Sequence, residues 1–304
     1  MPRRRRGRDI HGILPLDKPL GASSNAVLQR VRRLLDARKA GHTGSLDPLA
    51  SGVLPLCFGE ATKVSALLLD ADKTYRFTCQ LGSRTATGDV EGGVVETAPV
   101  PDLSEDAVRQ AMQAFLGDIE QIPPMYSALK QDGKRLYEIA RAGGEVARHP
   151  RPVHIRRFEL LAHRGDALDL EVSCSKGTYV RVLAEDLARA LGSVGHVTAL
   201  RRIAAGPYRE HELLTLEQIE AASREGDDAL RALLLPVDSA LPDWESVTLD
   251  PDLTHYFKQG QAVTVSDLPA AERIRVYGEG SGFLGLGRRL PDGRLAPRRL
   301  ILCN

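Results

Sequence analysis

Apolar residues recur along the chain with two spacings, and the alternation between them predicts a mixed order of strands and helices. Ile13–Leu16 is a short apolar run broken by Lys18, Pro19 and Gly21, which predicts a buried strand. Val27, Val31, Leu34 and Leu35 form the stripe of a helix, with arginines opposite and Ser23 or Ser24 able to cap it. The pattern then stops. Gly41–Asp47 holds two glycines and is followed by a proline, the composition of a tight ordered loop, before Gly52–Phe58 resumes as a strand. Ala61–Leu69 reads as a helix, Thr74–Leu81 as an alternating strand, and 82–101, rich in Gly, Thr and Asp, as loop with short strands.

A second helix pattern opens near Ser104 and carries Val108, Met112 and Phe115, with Gly117 expected as its C-cap. Pro123 and Pro124 begin a cationic segment, about 124–152, with weak strand signals; it reads as an insertion that closes over a ligand. Val153–Leu161 and Leu168–Ser173 read as strands, and Tyr179–Leu191 as a helix ended by Gly192. Thr215 and Gln218 form a capping-box pattern, and Asp227–Leu235 predicts a further helix. After Trp244 the texture changes to short strand-like pieces and glycine turns. The expected organisation is a basic tail at 1–9, a main domain at 10–244 and a small β-rich module at 245–304.

The chain has 304 residues, 42% hydrophobic and 27% charged, enough for one sizeable core and a satellite domain. No run approaches the roughly 18 apolar residues of a membrane helix, and the first eight residues lack a secretory apolar segment, so the expected location is the cytosol. Cys57, Cys79, Cys174 and Cys303 lie far apart without a CxxC pair and are expected to be reduced, buried and idle. The histidines show no HExxH spacing, so no metal is expected. Net charge is only +1, but the cations are uneven: arginine fills five of the first eight positions. Lys130–Arg157 holds eight Lys/Arg against three Asp/Glu, and Arg288, Arg289, Arg294, Arg298 and Arg299 close the chain. Such clusters fit a polyanion such as nucleic acid, although each alone is also an ordinary solvated face.

Two short motifs carry nothing. Gly280, Gly282 and Gly285 satisfy GxGxxG, but too little chain follows to build a nucleotide-binding unit, so they read as hairpin glycines. Ser127 and Lys130 satisfy SxxK without the SDN and KTG that accompany it in acyl-transfer enzymes. What remains is GHTGSLDPLASGVLP, where a carboxylate in a glycine- and proline-braced loop can be aimed at a substrate. Standing alone, an Asp before Pro is ordinarily a turn residue.

That run, with LDKPLGASSN, DKTYRF, CSKGTYVR and VTALRR, closely resembles the TruB-type tRNA pseudouridine-55 synthases. The five motifs stand in family order from Leu16 to Arg202. The resemblance implies the α+β pseudouridine synthase fold, a mixed, mostly antiparallel sheet flanked by helices with the active cleft across its middle, plus a PUA-like C-terminal RNA-binding domain. It makes Asp47 the nucleophile and Arg181 its partner, a role a bidentate guanidinium fills well. Tyr75 matches the aromatic that stacks on the base and helps remove the C5 proton. His42 sits where the flipped nucleotide passes, and Tyr179 and Leu200 match the uracil pocket, where backbone contacts and an apolar wall would grip the base. Lys18 and Pro19 read as scaffold. The implied reaction isomerises uridine 55 in the T loop of tRNA without a cofactor, through attack at the ribose C1′ or at uracil C6, by a monomer with no obligatory protein partner. Two alternatives stand beside it: an RNA-guided relative, disfavoured by the insertion, and a tRNA-folding chaperone for which catalysis is secondary.

Overall fold

Side chains that can satisfy free backbone N–H groups start the helices. Ser23, not Ser24, caps the first helix by accepting from the Ala26 N–H, Ser104 does the same for Ala107, and Thr215 with Gln218 closes the expected capping box. The computed structural model describes residues 7–303 apart from 128 and 132, and only the backbone of 130, 131 and 135. Residues 1–6 of the basic tail and the Lys130 side chain of the SxxK pair therefore lie outside the described residues.

The first half runs β1 (Gly12–Lys18), α1 (Ser24–Leu34), β2 (Ala40–His42), β3 (Ala50–Phe58), α2 (Ser65–Asp70), β4 (Lys73–Leu81), β5 (Ser83–Thr85), β6 (Val94–Thr97) and α3 (Glu105–Gln113). It continues as β7 (Gly117–Gln121), β8 (Lys130–Gln131), β9 (Lys134–Arg135), α4 (Leu136–Arg141), β10 (Arg151–Arg164), β11 (Ala167–Cys174), α5 (Val180–Ala190), β12 (Gly195–Ala205) and β13 (Tyr208–Arg209). Then come α6 (Leu216–Glu225), α7 (Asp227–Ala232), β14 (Ser246–Leu249), α8 (Pro251–Lys258), β15 (Ile274–Gly278), β16 (Gly282–Arg289) and β17 (Leu295–Leu300).

Nine strands form one sheet in the order β1-β3-β12-β4-β11-β10-β7, with β2 added on β3 and β13 on β12. Its one parallel pairing is β12 with β3, so the sheet is mixed and mostly antiparallel, as expected. Helix α5 packs Val180, Leu183, Ala184 and Leu187 against Phe77, Cys79, Leu170 and Leu200, while α1 and α6 cover the β1–β3 end through Val27, Val31 and Ile219. The sheet therefore has helices packed on it at both ends.

Several local expectations are corrected. Strand β12, in the interior of the sheet between β3 and β4, has no counterpart in the sequence reading. Its GHVTALRRIAA holds two adjacent arginines, and breaks in register at Val197/Ala199 and Arg202/Ala204 blur the alternation. Strand β7 was also absent from it: α3 ends at Gln113 with Ala114 as C-cap, and Gly117, at φ +83°, opens the strand instead of capping the helix. Ala61–Leu69 is not one helix but a 3₁₀ turn over Gly59–Lys63 followed by α2. Of the four cysteines, Cys303 is exposed; the other three are buried.

The terminal module has its own sheet, β14-β15-β16-β17, and its own core of Leu249, Phe257, Ile274, Val276 and Leu295. It also carries α8, which the glycine-rich texture did not announce. Gly280 and Gly282 turn the β15–β16 hairpin with positive φ, and Gly285 makes a bulge where a Cβ would lie 2.1 Å from the Arg299 carbonyl oxygen. Leu286 and Ile301 join Val53, Cys57 and Tyr208 in a shared apolar cluster, and the Lys63 ammonium donates to the Leu300 carbonyl at 2.9 Å, so the module is packed onto the main domain. Among the described residues no helix is long and apolar enough to cross a membrane.

One glycine ties the sheet to the cleft. Gly52 has φ +100°, and a Cβ there would stand 2.2 Å from the Arg202 carbonyl oxygen on the parallel neighbour β12. Gly52→Ala is expected to cost about 2–4 kcal/mol through forced φ and a backbone clash, read as a lower midpoint in urea unfolding.

Candidate active site

The segment from Thr43 to Leu49 leaves β2 and enters β3, and backbone partners pin it at almost every step. The buried Ser24 hydroxyl accepts from the Leu46 N–H at 2.8 Å and donates to the Leu46 carbonyl at 3.1 Å. The Gly21 N–H donates to the Pro48 carbonyl at 2.8 Å, and Thr43 N–H to the Pro55 carbonyl at 3.2 Å. The Lys18 ammonium, fully buried, donates to the carbonyls of Ala50 at 2.6 Å and Pro19 at 2.9 Å. Burial lowers its pKa to about 8, against the opposing pull of Asp47. Arg202 donates to the Gly44 carbonyl at 3.1 Å and the Val53 carbonyl at 2.7 Å. A loop with this many fixed carbonyls holds its side chains in one place.

Asp47 projects from that loop with its side chain 41% exposed, whereas its partner Arg181, in the first turn of α5, is only 5% exposed. Their ion pair measures 3.0 Å. The expected two-toothed grip on Asp47 is not what the guanidinium makes. One terminal nitrogen faces Asp47 and donates to the Tyr126 carbonyl at 2.7 Å; the other donates to the Thr87 carbonyl at 2.6 Å and faces a second carboxylate, Asp89, at 3.6 Å. Asp89 is itself buried and fixed, accepting from the Thr87 hydroxyl at 2.5 Å and the Glu91 N–H at 3.1 Å. Burial is the largest influence on the Asp47 carboxyl and pushes its pKa above the ordinary value; Arg181 opposes this and Asp89 adds to it.

The other predicted residues surround this pair. Leu200 on β12 is buried in the cluster that contains Leu46 and Leu49, and Tyr75 on β4 packs against the same cluster. Burial raises the phenol pKa of Tyr75, while Arg202 pulls it down. Tyr179 caps α5. Its N–H donates to the Gln121 side-chain oxygen at 2.9 Å, and its carbonyl accepts from the Gln121 amide at 3.3 Å and the Leu183 N–H at 3.0 Å. With its main-chain groups taken, its ring is the part left to meet a ligand. His42 ends β2; burial and then Arg202 lower its pKa, so the ring is neutral near pH 7, and its buried Nδ1 has no hydrogen-bond partner among the described residues.

Four contributors were missed by sequence reasoning: Ser24, Asp89, Gln121 and Arg202. Only Asp89 had a local signal, because Thr85 and Thr87 before it and glycines after it suit a side-chain-stabilised turn. Ser127, the rejected acyl-transfer candidate, is buried.

A carboxylate open to the cleft on a pinned loop, paired with a sealed arginine from a helix over a mixed sheet, gives the site of an α+β enzyme. The fold is similar to that of the crystal structure of a Cbf5-Nop10-Gar1 complex with TM-score 0.71 and 27% identity, covering 92% of this chain and 78% of that one. A second solved structure, of an H/ACA RNP bound to a substrate RNA containing 2′-deoxyuridine, shares the fold at TM-score 0.73 and 22% identity, covering 96% of this chain and 86% of that one. Family models match in succession: the TruB family pseudouridylate synthase N-terminal domain at 32–180, the tRNA pseudouridylate synthase B C-terminal domain at 181–242, and the pseudouridine synthase II TruB C-terminal model at 246–301. The chain belongs to the TruB family of pseudouridine synthases, which are isomerases. It is 52% identical over 299 residues to the tRNA pseudouridine synthase B of Nitrosococcus oceani, covering 98% of this chain and 97% of that protein. To the protein of the same name from Stutzerimonas stutzeri it is 53% identical over 295 residues, covering 97% and 96%.

Ser24→Ala should leave both backbone groups of Leu46 without their buried partner. The expected loss is about 1–3 kcal/mol of stability, with faster hydrogen exchange at the Leu46 amide, measured by urea unfolding and exchange mass spectrometry.

Proposed function

We propose that the protein isomerises uridine 55 in the T loop of tRNA to pseudouridine, with Asp47 as nucleophile. The observation that carries this reading is the placement of Asp47, the exposed member of a pair whose arginine is sealed beneath it. Isomerisation breaks the N1–C1′ bond, turns the uracil and forms a C5–C1′ bond; the C5 proton leaves to solvent and N1 gains one. A single ionised carboxylate can hold the intermediate, at C1′ or at C6, without any outside reactant. Arg181 keeps that carboxylate charged and oriented. Tyr75 meets the base and takes part in removing the C5 proton, Leu200 and the Tyr179 ring wall the uracil, and His42 lies at the entry of the flipped nucleotide.

The insertion at 124–152 acts as the lid over the T arm, and the 245–304 module, PUA-like in this reading, adds RNA contacts through its arginines. Those contacts supply affinity and salt dependence more than sequence choice. The names of the curated relatives support tRNA as substrate.

Tritium released from a tRNA transcript labelled at uracil C5 tests the reaction. The expected result is about one tritium per tRNA from the wild type and none from Asp47→Ala. A folding-chaperone role, by contrast, should survive that substitution, and absence of release from wild type that still binds tRNA would sink the enzymatic reading.

The pH dependence has a definite sign. Burial raises the Asp47 pKa in the folded protein and the reaction needs the ionised form, so the rate is full above that pKa and lost as pH falls through it. The acid limb of the single-turnover rate should therefore lie above 3.8, the ordinary aspartate value, and move higher still in Arg181→Gln, with tRNA binding followed separately by filter retention.

A further inference from the structure

The two arginines that end the VTALRR motif point to opposite faces of β12 and behave differently. Arg201 lies on the outer face in a half-exposed network, paired with Asp17 at 2.9 Å and Glu210 at 3.2 Å. Arg202 is fully buried on the face of the cleft, and among the described residues no carboxylate lies within 4.0 Å of it. Its hydrogen bonds go to carbonyl oxygens instead: Val53 on β3 and Gly44 at the start of the Asp47 loop. Across the sheet its register partner on β4 is Tyr75, so the two side chains share a face.

A buried cation satisfied only by neutral carbonyls is costly, and its charge stays available to whatever lies beside it. We propose that Arg202 is a positioning residue for the reaction, joining the Asp47 loop and the Tyr75 ring into one unit and presenting its charge to the Tyr75 phenol oxygen. The planar fork explains why arginine suits the position: it reaches β3, the loop and β4 from one side chain, which a lysine head cannot.

The charges around the phenol support the same role. Arg202 from β12 is the strongest of them, and Asp47 from the loop acts in the opposite sense; the Cys174 thiol nearby on β11 is held neutral by burial. Arg202 in turn faces His42 from β2, Lys18 from β1 and Lys73 from β4, all cationic or neutral. Burial raises the proton affinity of Tyr75, and Arg202 opposes that rise by favouring the phenolate, the form able to accept a proton from the base. The inference rests on the reading of Tyr75 given under the proposed function.

The test is NMR of full-length enzyme labelled with 13Cζ-tyrosine, the Tyr75 signal being identified by its loss in Tyr75→Phe. In Arg202→Gln the Tyr75 signal should titrate at higher pH than in wild type, and in Arg202→Lys by a smaller shift in the same direction. Single-turnover rate at pH 7.5 should fall by about tenfold to a hundredfold in Arg202→Gln while tRNA affinity stays within about twofold. An unmoved Tyr75 titration together with an unchanged rate in folded Arg202→Gln overturns the proposal. If circular dichroism shows that Arg202→Gln does not fold, Arg202→Lys decides by the same two readouts. Wild-type turnover in Tyr75→Phe would overturn the reading of Tyr75, an outcome distinct from an unmoved resonance.

Discussion

The arginine sealed beneath Asp47 is the constraint around which the cleft is organised. Its guanidinium carries one positive charge and faces two carboxylates, Asp47 and Asp89, while two main-chain carbonyls take its remaining reach. The four contacts come from three separate stretches of chain: the loop before β3, the turn after β5, and the start of the insertion. Arg181 can be sealed only when all of them are in place, so the ion pair reports the assembled state of the cleft. Because Asp89 is buried and Asp47 is open, the charge shared between them leaves the Asp47 carboxylate oriented but still accessible.

A second group of cations works by a different principle. Lys18, Lys73 and Arg202 are buried and donate chiefly to carbonyl oxygens, which stabilise them without cancelling their charge. Lys18 and Arg202 fix the loop that carries Asp47; Lys73 holds the carbonyls of Leu68, Leu69 and Ala71 at the end of α2. Burial depresses both lysines to about 8. A region that concentrates positive charge without neutralising it suits a cleft that receives an anionic polymer such as tRNA.

Much of this was legible in the sequence because the relevant signals are local. The turn-forming composition around Asp47 marked an ordered loop, the Ser, Thr and Gln caps marked helix starts, and the glycines at 280, 282 and 285 marked a hairpin in place of a nucleotide-binding loop. The resemblance of five motifs led to the family that the comparisons then showed. Strand β12 escaped because its arginines and register breaks erase the period-two pattern, and β7 escaped because GDIEQ is too short and polar to read as a strand at the rim of a sheet.

The sequence by itself determined most of the order of elements, the side-chain caps that start the helices and the residue types available for chemistry, since each depends on neighbours within a few positions. Tertiary structure alone decided which of them meet. That Ser24 pins Leu46 and does not cap a helix, that Arg181 bridges two aspartates instead of gripping one, and that Arg201 and Arg202 serve opposite faces all depend on contacts between distant segments. Such contacts form because burying charged and polar groups is tolerable only where the folded chain supplies their partners, and no local pattern records which partners those will be.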